Sequence, residues 1–170
     1  DYIARQFRRE LEGVVKGHRG MGKSGLIDID SGGQEILERN AVALDDQHLE
    51  ARFVVGLPAM GRTILGREAM DIFFREVPLL VDKALFYRNH DPSRVKDHVE
   101  AAEDQDYLRG MLPEKGLVAF IGDGAILPRR SGVDDRPLER NAIPFRSPGE
   151  LGVEFELPNR GHVVGMGVPA

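Results

Sequence analysis

Between Leu26 and Leu57 the chain has room for short strands and tight turns and for nothing longer, and this limits the fold more than any other stretch. Leu26-Ile-Asp-Ile-Asp30 reads as a strand, Ser31-Gly-Gly33 as a turn, Gln34 to Leu44 as a return strand and Asp45-Asp46-Gln47 as a second turn. Leu49, Ala51, Phe53, Val55 and Leu57 then alternate as a third strand. Strands joined this tightly run antiparallel, because a parallel crossover needs a dozen or more residues. The expectation over 26–57 is an antiparallel three-stranded meander.

Helices flank it. Ile3, Phe7 and Leu11 recur every four positions, with Arg5, Arg8, Arg9 and Glu12 on the other side. Ala69, Met70, Phe73 and Val77 carry a helix from Gly66 to Glu76, and Pro78 suits the first turn of a second helix reaching Tyr87. Asp91-Pro92 opens an acidic helix toward Met111, which Pro113 closes. Leu117 to Ile121 is an unbroken apolar run and reads as a buried strand. Residues 122–149 are rich in Gly, Pro and Arg, a long connection of the kind that carries function. Glu150 to Leu157 alternates as a strand, and Gly161 to Gly167 pairs with it. The fold class is α+β (mixed α/β), a meander packed with helices.

Composition excludes several chemistries. Without a cysteine among its 170 residues the chain has no disulfide scaffold, zinc-thiolate site or thiol nucleophile. The absence also suits a reducing cytoplasm, the expected location. The richest apolar stretch, Val77 to Tyr87, is broken by Asp82 and Lys83, so no membrane span is expected. The five histidines show no pair at metal spacing, and no metal site is expected. Asp28 and Asp30, two apart on one strand face, read as solvated carboxylates. The serines lack a nucleophile-elbow context, and no catalytic residue is assigned.

The net charge of −5 is unevenly placed. Arg5, Arg8, Arg9, Lys16, Arg19 and Lys23 face only three acids in the first 25 residues. These six cations are candidate contacts for RNA or single-stranded DNA, whose phosphates attract such a patch. Residues 97–106 hold five acids and no cation, and 126–146 hold five Arg against three acids. The other reading of each run is a solvated face.

Gly17-His-Arg-Gly-Met-Gly-Lys23-Ser24 matches the phosphate-loop pattern, in which backbone N–H groups wrap phosphates and the Ser binds Mg²⁺. That mechanism needs a buried strand before the loop and a helix starting at Lys-Ser. Here a charged helix precedes, and Gly25 and an alternating strand follow. Ser31-Gly-Gly-Gln34 and Ala41-Val-Ala-Leu-Asp45-Asp46 likewise imitate a signature motif and a Walker B strand. Only sixteen residues separate Ser24 from Ala41, too few for the helix that should join two parallel strands. The three pieces are imitations.

The segment from Phe120 to Pro137 concentrates Asp123, Arg129, Arg130, Ser131 and Asp134 on a glycine-relaxed backbone. Such a loop after a strand suits a phosphate contact, and equally suits a rigid surface loop whose Arg and Asp pair with each other.

Three stretches together resemble the N-terminal region of the predicted ATPases of the ABC class. They are Glu50 to Arg62, Gly116 to Asp134 with its Asp123-Gly-Ala-Ile-Leu-Pro-Arg129 run, and Phe145 through Asn159 to Pro169. The resemblance implies that the family's phosphate loop follows directly after the stretch matching Gly165 to Pro169. It implies ATP and Mg²⁺ as ligands of the full-length protein, with none bound by these residues alone. It also implies a division into an N-terminal domain, 1–145, and the first strands of the ATPase core, 146–170. Phe145 or Phe155 then stacks on adenine or packs in the core. The expected partner is the C-terminal ATPase core; the Ile3, Phe7, Leu11 face also needs a partner, either by packing within the fold or on a second copy of the chain. A nucleic-acid-binding module is the alternative.

Overall fold

In the computed structural model, which describes residues 1–170, the four-residue spacing of the first segment becomes α1 (Tyr2–Val14), with Ala4, Phe7 and Leu11 buried. Phe7 is fully buried and its ring meets Phe53 at 5.0 Å. Burying such a ring contributes about 2–3 kcal/mol. The chain divides into two compact units, Asp1–Pro92 and Ser93–Ala170, each with its own core.

In the first unit the strands are antiparallel but not in chain order. β1 (Ile27–Asp28) pairs with β4 (Val54–Val55), and β2 (Val42–Leu44) pairs with β3 (Leu49–Ala51). The third expected strand thus serves two partners, and most of the second is not a strand. Gln34 to Asn40 does not alternate; it forms a polar strap along α1 instead. The Leu37 N–H donates to the Asp1 carboxylate at 2.7 Å, Arg5 donates to the Glu35 carbonyl at 2.6 Å, and Arg39 pairs with Glu35. A further hairpin, β5 (Ala59–Met60) with β6 (Thr63–Ile64), turns at Gly61, whose φ of +58 suits glycine. The Gly61-Arg62 pair that marks this turn is present in the sequence, but no strand pattern around it points to a hairpin.

The next helix is one run rather than two. α2 (Gly66–Asp71) passes through a π turn (Ile72–Glu76) into α3 (Val77–Leu85). Pro78 lacks an N–H and its ring crowds the carbonyl four residues back, at Phe74; the wider turn makes room. The extra residue rotates the buried face. Ile72, Glu76, Leu80 and Ala84 lie inside, while Met70, Phe73 and Phe74 are exposed, so the face expected from Met70 and Phe73 is the outer one.

The second unit is α4 (Pro92–Met111) against a three-stranded antiparallel sheet in the order β7 (Leu117–Gly122), β9 (Gly161–Pro169), β8 (Gly152–Leu157). Phe155 and Leu157 alternate inward onto Leu112, and Phe120 meets Phe155 edge-on at 5.2 Å. β7 is an edge strand with no fully buried residue and with Val118 62% exposed, against the expectation of a buried one. Leu117 and Phe120 pack on the second core, while Val118 is left to solvent. The sheet spans residues on both sides of position 145. No helix is long and apolar enough to cross a membrane.

Asp104 is the exception in the acidic run of α4. Its buried carboxylate accepts the N–H groups of Asn159 at 2.9 Å and Arg160 at 3.0 Å. It thereby pins the turn between β8 and β9, where two turn amides find an acceptor they would otherwise lack.

Candidate functional site

The Gly17–Ser24 segment is built for chain-to-chain contact. Three of its N–H groups are already used: Arg19 donates to Ser24 at 2.9 Å, Met21 to Ala59 at 3.0 Å and Ser24 to Met21 at 3.2 Å. The Ser24 hydroxyl is buried, donating to the Met21 carbonyl at 2.7 Å and accepting from the Ala59 N–H at 3.2 Å. A Cβ on Gly20 would collide with the Ala59 carbonyl, and one on Gly56 with that of Lys23. The glycines permit backbone approach, and β1 rather than a helix follows. Neither those three amides nor the hydroxyl is left for a triphosphate with Mg²⁺ here.

The six basic candidates of this region do not form one free face. Arg8 pairs with Asp28, Lys16 with Asp71, and Arg19 with Glu76 and, at 3.0 Å, Asp71. Arg5 holds the Glu35 carbonyl and Arg9 holds Gln6 at 3.2 Å. Only Lys23 stands exposed without such a partner. The Arg19 side chain is 4% exposed, beside Glu76 at 6%. The Lys16 ammonium, through its hydrogen bond, holds the Asp71 carboxyl below the usual carboxylate range.

In the second unit, β7 delivers Asp123 to the mouth of a hollow of about 600 Å³. Phe120, Leu157 and Val163 line it together with Asp123, Arg160 and His162. The Asp123 carboxylate accepts the Ser147 N–H at 2.6 Å and its hydroxyl at 3.1 Å, closing the long loop at its base. Gly124 donates to the Phe145 carbonyl at 2.8 Å, and Phe145 donates back to Ala125 at 2.9 Å. Asp123 and half-buried Phe145 therefore come together.

Arg129, Arg130, Ser131 and Asp134 are held in a separate finger. A bridge joins Arg129 to Pro137, and the Arg130 N–H donates to the Arg136 carbonyl at 2.7 Å. Asp134 takes two bonds from the Arg136 guanidinium, at 2.8 and 2.6 Å, and Arg130 lies 3.9 Å away. The Ser131 hydroxyl accepts the Val133 N–H at 3.3 Å. Of the two aromatic candidates, Phe155 is in the core at 5% exposure, with the Lys115 ammonium 4.7 Å from its ring centre. Phe145 retains an accessible surface. Arg160 and His162 were not among the sequence candidates, since a turn arginine and a strand histidine carry no motif. No group of three or more His, Cys, Asp or Glu converges as a metal site.

The bidentate Arg136 contact lowers the Asp134 carboxyl from an ordinary 3.8 to about 2. A depressed acid stabilises the folded finger fully above 3.8 and ceases to do so as pH falls through about 2. A carboxyl-carbon NMR titration of Asp134 should therefore find its midpoint near 2, and Arg136→Ala should move it toward 3.8. A midpoint already near 3.8 in the unaltered chain would show the finger to be unbraced in solution.

The family model for the N-terminal region of ATPases of the ABC class matches residues 1–88, and the ABC ATPase P-loop domain model matches residues 91–170. No curated protein matches the chain. The first model ends four residues before the first compact unit does and the second begins two residues before the second unit, and together they take in nearly every residue. The chain belongs to the ABC-class ATPases, as their N-terminal region.

Proposed function

We propose that residues 1–170 are the part of an ABC-class ATPase that precedes its phosphate loop, and that they do not hydrolyse ATP by themselves. One observation carries this reading. The P-loop domain model matches residues 91–170, a stretch without any Gly-Lys-Ser or Gly-Lys-Thr, while the chain's own Gly22-Lys23-Ser24 is folded into a turn. ATP and Mg²⁺ belong to the full-length protein, where the C-terminal core supplies the phosphate-binding residues. Residues 146–170 supply the first strands of that core and 1–145 the domain ahead of it, with β7 reaching across the line to pair with β9.

Asp123 and Phe145, beside the hollow, are the residues of this chain that face the nucleotide in that reading. Arg129, Arg130, Ser131 and Asp134 act as a braced finger next to them. The basic run does not favour a nucleic-acid reading, because five of its six cations have partners inside the first unit. Purified residues 1–170 given ATP and Mg²⁺ are expected to release phosphate no faster than a blank, with Lys23→Ala indistinguishable from the unaltered chain. Turnover that disappears in Lys23→Ala would sink the proposal.

A further inference from the structure

The free edge of β8 has a definite polarity. The Asp123 N–H donates to the Val164 carbonyl at 2.9 Å, so Val164 directs its backbone groups toward β7. Glu154 lies directly opposite Val164 on β8, and Glu156 opposite His162. By the alternation of an antiparallel ladder, the backbone N–H and C=O groups of Glu154 and Glu156 point away from β9, out of the sheet. β8 ends the strand order on this side, so no strand of the chain takes them. Such an edge is a template for another extended segment.

The side chains beside this edge say what kind of segment fits. Phe155 and Leu157 turn inward, and Glu154 and Glu156 turn outward at 69% and 75% exposure. The His162 ring lies beside them, 3.3 Å from Glu156 and 4.0 Å from Glu154. A second copy pairing antiparallel along this edge would set glutamate against glutamate, which is unfavourable. A cation is already drawn to the edge: the Lys115 ammonium donates to the outward Glu154 carbonyl at 2.8 Å.

We propose that the free edge of β8 is a strand-addition site for an extended basic segment, with cations at alternate positions opposite Glu154 and Glu156. Lys115 occupies part of that edge until the segment arrives. The added strand bonds to the Glu154 and Glu156 backbone and displaces the ammonium.

The test uses isotope-labelled residues 1–170 and two end-blocked hexapeptides, one alternating Lys with Val and the other Glu with Val. The Lys peptide is expected to slow amide exchange at Glu154 and Glu156 by about tenfold or more at saturation, and the Glu peptide to leave it unchanged. Lys115→Met, which frees the carbonyl, should tighten the Lys peptide. The double variant Glu154→Lys with Glu156→Lys should prefer the Glu peptide, and its amide spectrum reports whether it is folded. Absence of protection by the Lys peptide overturns the proposal. So does equal protection by both peptides, or protection that rises with protein concentration alone, the mark of a second copy on this edge. A weaker Lys peptide with Lys115→Met also counts against it.

Discussion

Replacing Arg19 with methionine is expected to destabilise the first unit by about 3–5 kcal/mol, the range for breaking a buried ion pair by removing one partner. The guanidinium is 4% exposed and holds Glu76, itself 6% exposed. It also contacts Asp71 at 3.0 Å and donates to the Glu68 carbonyl at 3.1 Å. Its loss strands the Glu76 carboxylate, which would retain only the Lys16 N–H at 3.1 Å. Methionine fills much of the volume, so the deficit measures charge rather than a cavity. Adding Glu76→Leu to Arg19→Met should recover most of the loss, because removing both charges removes the desolvation penalty with them. Urea unfolding followed by amide exchange in α1 and α3 reads both variants. If the single change falls within about 1 kcal/mol of the unaltered chain, the pair is solvated in solution and the loop is held by its glycine contacts instead.

That result bears on how much could be read from the residues alone. α1 was legible because Phe7 and Leu11 keep one period and one face, and β8 because Phe155 and Leu157 alternate with Glu154 and Glu156. The strand order was not, since the polar strap Gln34 to Asn40 is fixed by Asp1 and Arg5, about thirty residues or more away in sequence. Periodicity also failed at the π turn, where one extra residue turned Met70 and Phe73 outward and drew Glu76 in. Arg19 looked like any exposed cation because its three acidic neighbours lie some fifty residues on. The Gly-Lys-Ser match could be set aside on context, because the strand that follows it was visible in Leu26 to Asp30. Asp123 could be singled out from its loop, whereas Arg160 and His162 join it only because the β8–β9 turn folds back beside β7.

Gly165→Ala is the other large effect, expected to cost the second unit about 3 kcal/mol, the upper end of overpacking. Gly165 is buried in β9 between Gly122 of β7 and Val153 of β8. A Cβ there would overlap the Ile121 carbonyl oxygen and lie 2.5 Å from the tip of the Phe120 ring and 2.8 Å from the Gly122 Cα. A side-chain ring can move aside; the two backbone atoms cannot move without separating β7 from β9. That separation would also shift Asp123, which is bonded to Val164, and with it the mouth of the hollow. Gly152→Ala makes the same chemical change at the start of β8, where the nearest atom to the new Cβ is 3.5 Å away, and should be close to neutral. Amide exchange across β7 and β9 separates the two variants, with Asp123 and Val164 as reporters. Equal behaviour would mean that β9 can draw away from β7 at little cost, and that the closeness of these strands does not set where the Asp123 loop sits.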